Sequence, residues 1–462
     1  MDEKDLLIQK LMDKIAVLEQ IVKQQASRIA ELEKRLNKNS SNSSKPPSSD
    51  GLSKFPRTNS PRQKGNHKSG GQVGHKGETL RQVQAPDKIE HHTLSTCPHC
   101  LTPLAKVKVL GILKRQVFDI PQPMLEVTEH QAEIKMCSCC HRRVMAAFPE
   151  GVNAPVQYGE VIQSYSLYLQ HQQFIPEDRL QETFRDLFDV SLATATLNYF
   201  SESAYKKLDN FDKAVLSNIQ VAPVKHLDET GFRVTGRTQW LHVASTAHLT
   251  YYHISKKRKS LLEKLKGIVV HDHWKPYYQL PDVLHALCNQ HHLRELKALI
   301  EYDKEPWARK MRRLLQFGLR YRHAYEDQFI PDDKLNRLTN LYDAIVDEGI
   351  FYHEHLPVFS DKKSRGRKAR RAGHNLLLRL KNYRDDVLRF LVNPLVPFTN
   401  NQAERDIRMM KCKQKISGGF RSAKGADIFA RIRGFISTAR KQSWNVFESI
   451  QQVVRGCVPI PA

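Results

Sequence analysis

Residues 224–272 read VKHLDETGFRVTGRTQWLHVASTAHLTYYHISKKRKSLLEKLKGIVVHD, and the order of patterns inside this stretch sets the fold. VKHLDETGFRV, TQWLHVAST and LTYYHIS are rich in β-branched and aromatic residues, which predicts three successive strands joined by short turns. SLLEKLKG predicts a helix, and the apolar run GIVV a fourth strand that ends just before Asp272. HALCNQ (285–290) adds another strand, with a helix after it at HHLRELKALI. Three hairpin-linked strands followed by alternating helix and strand is the order of a ribonuclease-H-like fold. In that order one carboxylate lies on the first strand, a second at the end of the fourth, and a third on a later helix. Asp228, Asp272 and Glu404 fill these places, Glu404 on a helix opened by Thr399 or Asn400.

Three such acids can hold two divalent cations, which activate an attacking oxygen and stabilise a leaving one. Carboxylate oxygens and water suit magnesium or manganese. Each acid also has a structural reading. Asp228 and Glu229 could be hairpin residues, and since neighbouring strand residues face opposite sides, only one of them should enter a site. Asp272 could cap a helix opened by Trp274–Lys275–Pro276, and Glu404 could pair with Arg408 one turn on. The strand order and the surrounding cations favour the trio.

The chain has 462 residues, 40% of them apolar, enough for about three domains with a sizeable core. Lys and Arg outnumber Asp and Glu by 73 to 49, a net +24. The excess is concentrated: KKSRGRKARR (362–371) carries seven cations and no acid, and residues 401–441 carry eleven against three acids. This pattern predicts a polyanion partner, nucleic acid rather than an anionic membrane. No run of 18 apolar residues exists, and the polar N-terminus resembles neither a secretory signal nor a lipidation site. The expected location is the cytoplasm, on the nucleoid.

Six segments follow from the pattern. Residues 1–37 carry heptads, with Ile8, Ile15, Val22, Ile29 and Leu36 at a and Leu11, Leu18, Gln25 and Leu32 at d. β-Branched a with leucine d favours a parallel two-stranded coiled coil, with Lys14 facing Glu19 and Arg28 facing Glu33 of a second copy. A homodimer or higher oligomer is therefore expected; the alternative is a helix packed on its own globular domain. Residues 38–86 form a basic linker too poor in apolar residues to fold alone. Residues 87–150 hold Cys97–Pro98–His99–Cys100 and Cys137–Ser138–Cys139–Cys140 around alternating, β-rich runs at 106–120 and 124–136, which predict strands that bring the two knuckles together as a zinc ribbon with a structural ion on Cys97, Cys100, Cys137 and Cys140. Cys139 could replace Cys140, and His99 or His141 could compete. Residues 151–215 predict a helical, helix-turn-helix-like DNA-binding segment. Its helices break near Asp189–Ser191, and the second opens with Thr194, Thr196 and Asn198. Residues 216–445 form the catalytic domain, with a helical insertion at about 295–396, and residues 446–462 a helix end and tail. The amphipathic stretch DIFARIRGFISTARKQSWNVFESIQQVV (427–454) reads as one final helix packed on the core. Past Glu404, Arg405, Arg408, Lys411, Lys413, Lys415 and Arg421 are candidate phosphate contacts, which would make binding steeply salt-dependent.

Nearly the whole chain resembles the insertion sequence 66 family of DDE transposases. The likeness rests on the N-terminal zipper, NSSKPPSSDG (42–51) with GGQVGHKG (70–77), the two CxxC pairs and LATATLNYF (192–200). It extends to the blocks at Asp228–Glu229–Thr230, HDHW (271–274), CNQH (288–291) and NNQAERDIR (400–408), the last followed by KCKQKISGGFRS (411–422). Two blocks depart from the family: HDHW stands where many relatives have Asp–Gly–Tyr, and CNQHHLREL stands where many have Cys–Trp–Ala–His followed by two Arg. Cys288 and His291 keep the Cys and His places; they could contact DNA, shape the site or form a buried structural pair. The resemblance implies a DNA transposase that cleaves and joins strands at the ends of an insertion sequence and at target DNA. It implies Asp228, Asp272 and Glu404 as its acids and small accessory transposition proteins as partners. A DNA-binding regulator without catalysis, and a nuclease without strand joining, are the alternatives.

Overall fold

The structure, a computed structural model, describes residues 3–37, 80–120, 123, 125–325, 328–356 and 370–461. Of the predicted linker only residues 80–86 fall among these, and of the cation run 362–371 only Arg370 and Arg371; the rest of both lies outside the described residues. Helix α1 spans Glu3–Leu36. Strands β1 (Ile134–Met136) and β2 (Arg143–Met145) pair antiparallel. Four helices follow: α2 (Glu160–Leu167), α3 (Glu177–Phe188), α4 (Thr194–Lys207) and α5 (Asp209–Val221). The predicted break falls between α3 and α4, where Asp189 closes α3 in a left-handed conformation that Asp tolerates better than most residues.

A five-stranded mixed sheet comes next: β3 (Val224–Val234), β4 (Arg237–Ser245), β5 (Thr250–Ser255), β6 (Gly267–His271) and β7 (Val283–Leu287). Its spatial order is β5-β4-β3-β6-β7, with β3, β4 and β5 antiparallel, β6 parallel to β3 and β7 parallel to β6. The remaining helices are α6 (Asn289–Ala298), α7 (Pro306–Tyr325), α8 (Asp332–Glu354), α9 (Ala372–Asn382), α10 (Arg384–Val392), α11 (Asn401–Ser417), α12 (Ala423–Lys441) and α13 (Val446–Arg455).

Alternation along β6 divides the core. Ile268 and Val270 pack with α6–α10, so the helical insertion shares a core with the sheet. Val269 points the other way, into a cluster with Phe211, Val215 and Ile219 of α5 and Phe435 of α12. On the first face, beyond the insertion, Leu241 and Val243 pack against Ala403, Ile407 and Met410 of α11.

Three expectations are corrected. SLLEKLKG forms no helix: Leu265 is buried, and the segment runs as a loop to Gly267, whose φ of +80° and close approach to the Pro223 carbonyl leave no room for a side chain. The three leucines anchor a loop rather than line a helix face. The final stretch forms two helices, because Ser443 turns left-handed and the Asn445 side chain caps α13 by accepting from Phe447 and Glu448 N–H. The alternating run 106–120 forms no strand; Leu110, Leu113, Val117 and Ile120 are exposed, and alternation without a second layer has nothing to bury against.

Candidate functional site

Register places the two aspartates. His226 pairs with Val270 across the parallel β3–β6 ladder. Asp228 and Asp272 each lie two residues further along, so both continue onto the same face. Asp228 sits opposite Val243, whose side chain packs toward α11, so it looks to the α11 side of the sheet. Glu229 faces the other way. Its carboxylate is almost fully buried, ion-paired with Arg258 at 2.6 Å, and accepts from the Tyr277 hydroxyl. Arg258 in turn stacks over Trp240 and Trp274. The Asp–Glu doublet is therefore split as strand alternation requires, one acid free and one clamped.

Asp228 is strongly perturbed. Burial holds its carboxyl well above the usual range, and the charges of Glu229, Asp272 and Glu404 push it the same way. The charges of Asp272 and Glu404 act on Asp228, so the structure places both acids near it. The Asp228 carboxylate accepts only the Glu229 N–H, at 2.9 Å, among the described hydrogen bonds. Asp272 follows β6, and its Oδ1 accepts from Trp274 N–H at 2.9 Å before a 3-10 turn at Lys275–Gln279. The capping reading of Asp272 is not met: the 3-10 turn is preceded by Trp274 and has no side-chain cap. Glu404 lies in the first turn of α11, and its Oε1 is buried without a hydrogen-bond partner.

Asn400 positions Glu404. It precedes α11 but does not cap it with its side chain. Instead its Nδ2 donates to the Leu227 carbonyl at 2.7 Å, its Oδ1 meets His226 Nδ1 at 2.9 Å, and its backbone N–H points at Cys288 Sγ at 3.1 Å. One buried side chain thus fastens the start of α11 to the residues just before Asp228. The Asn–Asn doublet suggested only a helix start, and this tie has no signal in a single sequence. Nor did Asp406, which is buried against Lys441 at 2.7 Å and holds α11 to α12.

A cleft of about 230 Å3 adjoins the acids, lined by Asp272, Trp274, Cys288, His291, His292 and Arg379 among others. Burial alone would depress His291, but the neighbouring Cys288 and Glu404 carry it up to about 9. Of the candidate phosphate contacts, Arg405, Arg408, Lys415 and Arg421 are exposed. Lys411 is half-buried and donates to the Gly231 carbonyl at 2.7 Å, and Lys413 lies over the Phe420 ring. These two are engaged with the core rather than presented to solvent.

The two CxxC segments form matching turns. Cys97 N–H donates to Thr102 and Leu101 N–H returns to Cys97; Cys137 N–H donates to Arg142 and His141 N–H returns to Cys137. Leu101 and His141 both take positive φ. Hydrogen bonds from Thr102 bring the Cys100 thiol down to about 7, and backbone N–H groups of Cys140 and Cys139 lower Cys137. Turns that each favour a thiolate suit zinc binding.

Three family models match the chain. The zinc-finger binding domain of transposase IS66 matches residues 95–141, and a family of unknown function matches residues 1–81. No curated protein matches the chain. The transposase IS66 family matches residues 155–428, more than half of the 462, spanning α2–α5, the sheet, the insertion and α11. The chain belongs to the transposase IS66 family.

Proposed function

We propose that this transposase cleaves and joins DNA strands by divalent-metal-dependent phosphoryl transfer on a ribonuclease-H-like core, with Asp228, Asp272 and Glu404 as the metal-holding acids. The observation that carries this reading is the approach of three carboxylates from β3, the end of β6 and α11, with Asp228 raised by burial and by the charges of its neighbours and Glu404 Oε1 unpartnered. Hard oxygen donors short of hydrogen-bond partners fit magnesium or manganese. When bound, such ions supply activation of the attacking oxygen and stabilisation of the leaving one. The chain's own residues do the rest. Asn400 holds Glu404 against β3, Glu229 and Arg258 fix the back of the same strand, and Arg405, Arg408, Lys415 and Arg421 offer charge to the DNA backbone. The β5-β4-β3-β6-β7 order supports the ribonuclease-H-like assignment. Helices α3 and α4 are suited to DNA binding, with Asn198 and Tyr199 exposed on α4. The site of action is the nucleoid, and accessory transposition proteins are candidate partners.

The test is a magnesium-dependent assay on labelled DNA carrying one end of the mobile element, scored for nicking and for joining to a target. Both products are expected. Nicking without joining would indicate a nuclease, and binding without either a regulator.

Metal addition should also be visible without turnover. A carboxyl whose folded pKa is raised stabilises the fold below the unfolded carboxylate range, and that stability is lost as pH rises toward the folded value. The metal-free protein therefore carries more uncompensated repulsion at about pH 8 than at about pH 5.5. Magnesium at about a hundredfold over its Kd should stabilise by roughly 2.7 kcal/mol at the higher pH. Differential scanning calorimetry should show the smaller shift at the lower pH, where protonation of the raised Asp228 competes more strongly with the ion. Equal shifts at both would remove Asp228 from the metal set.

We propose a parallel coiled-coil homodimer through α1. Its a and d side chains, Ile8, Leu11, Ile15, Leu18, Val22, Ile29 and Leu32 among them, are all exposed in the single chain. An apolar stripe of about five heptads is stable in water only against a partner. A dimer would let two chains hold two DNA ends. Deleting residues 3–36 should halve the mass measured by light scattering; an unchanged mass would refute this interface.

A further inference from the structure

Cys288, His291 and Glu404 meet beside the acidic trio without belonging to it as a set. Cys288 follows β7 and precedes α6, His291 lies in the first turn of α6, and Glu404 comes from α11. One ligand atom from each lies within 4.8 Å of the other two, the only such group of three among the described residues. Two further observations point to a missing ligand. His291 Nδ1 and Glu404 Oε1 are both buried with no hydrogen-bond partner. Cys288 is almost wholly buried, and its sulfur accepts from the Asn400 N–H at 3.1 Å beside the His291 ring.

An orphaned buried polar atom is costly, and two in one place call for a common occupant. The donors identify its chemistry. A thiolate, an imidazole and a carboxylate suit a borderline ion; magnesium takes oxygen ligands and rejects sulfur. Zinc binds S, N and O donors at about 2.0–2.3 Å, which needs only small side-chain rotations from a 4.8 Å cluster. Three protein ligands leave a fourth position, and the cleft of about 230 Å3 lined by Asp272, Cys288 and His291 lies against it.

We propose that Cys288, His291 and Glu404 form a second transition-metal site, of the zinc class, separate from the CxxC turns and sharing Glu404 with the acids. The sharing rests on Glu404 being a catalytic acid; the binding does not. An ion held there engages Glu404 and so competes with magnesium for it.

The experiment is zinc content per chain for the full-length protein, equilibrated with zinc and dialysed, measured by plasma mass spectrometry. C288S, H291Q and E404Q should each lose one equivalent relative to the unsubstituted protein while keeping the zinc of the CxxC turns. Circular dichroism identifies any variant that fails to fold. E404Q changes a half-buried side chain by one atom, so it keeps the test decisive if C288S unfolds. Cobalt substitution gives a second reading on the unsubstituted protein: the thiolate–cobalt band should exceed that of folded C288S by one thiolate's intensity. Unchanged zinc content in the folded variants, or a cobalt band that C288S leaves intact, overturns the site. Strand cleavage is not read, so failure here is distinguishable from failure of the transposition chemistry.

Discussion

D228N, D272N and E404Q are each expected to lower magnesium-dependent strand cleavage by at least about a thousandfold, equivalent to about 4 kcal/mol of barrier. Binding of the DNA end should persist, because the exposed cations Arg405, Arg408, Lys415 and Arg421 are untouched. Each substitution preserves shape and removes one charge, so loss of rate reports loss of a metal ligand rather than a cavity. D228N carries its own internal check. Burial and the charges of Glu229, Asp272 and Glu404 all oppose ionisation of Asp228, so the amide should make the metal-free protein more stable at neutral pH. An inactive variant that melts higher than its parent has lost chemistry, not fold. E229Q is the matched control. Glu229 lies on the opposite face, held by Arg258 and Tyr277, so E229Q should cost stability and leave most cleavage. Cleavage by D228N within tenfold of normal, or an E229Q defect as deep as that of D228N, would sink the assignment.

The sequence exposed this much of the site because strands advertise themselves locally. Alternation in VKHLDETGFRV and the apolar run before Asp272 depend on period and composition, so the strands fell where the patterns placed them. The split of Asp228 from Glu229 followed from the same period of two. SLLEKLKG misled because its leucines also suit a helix face; the choice of loop was made by the tight approach of Gly267 to Pro223, a tertiary constraint. The stretch 427–454 looked continuous because a strong apolar face masked the capping of α13 by Asn445. At the candidate DNA contacts, spacing could not tell Lys411, turned inward to the Gly231 carbonyl, from exposed Arg408. The least legible part is the link between distant segments. His226 and Asn400 are 174 residues apart, and no local rule pairs them.

That link gives the second large effect. N400A should lose about 3 kcal/mol of stability and lower cleavage far more than it weakens DNA binding. Asn400 is buried, and its amide closes two hydrogen bonds, to the Leu227 carbonyl and to His226 Nδ1. Alanine leaves both partners buried and unpaired, each costing about 1–3 kcal/mol, and opens a small cavity. The functional loss has a separate cause. Glu404 sits one turn after Asn400, and its own N–H donates to the Asn400 carbonyl, so the side-chain tie to β3 fixes where the α11 carboxylate stands relative to Asp228. A displacement of about 1 Å in a group that must meet two others on a metal can cost about a hundredfold in rate. N400D separates the two effects. It keeps the size of Asn400 and can still accept from His226, but it cannot donate to Leu227 and adds a fourth negative charge beside three acids. Its stability should therefore fall further as pH rises through the carboxylate range, whereas N400A should show no added pH dependence. If N400A melts normally and cleaves normally, Asn400 does not position Glu404, and the start of α11 is held by the packing of Ala403 and Ile407 alone.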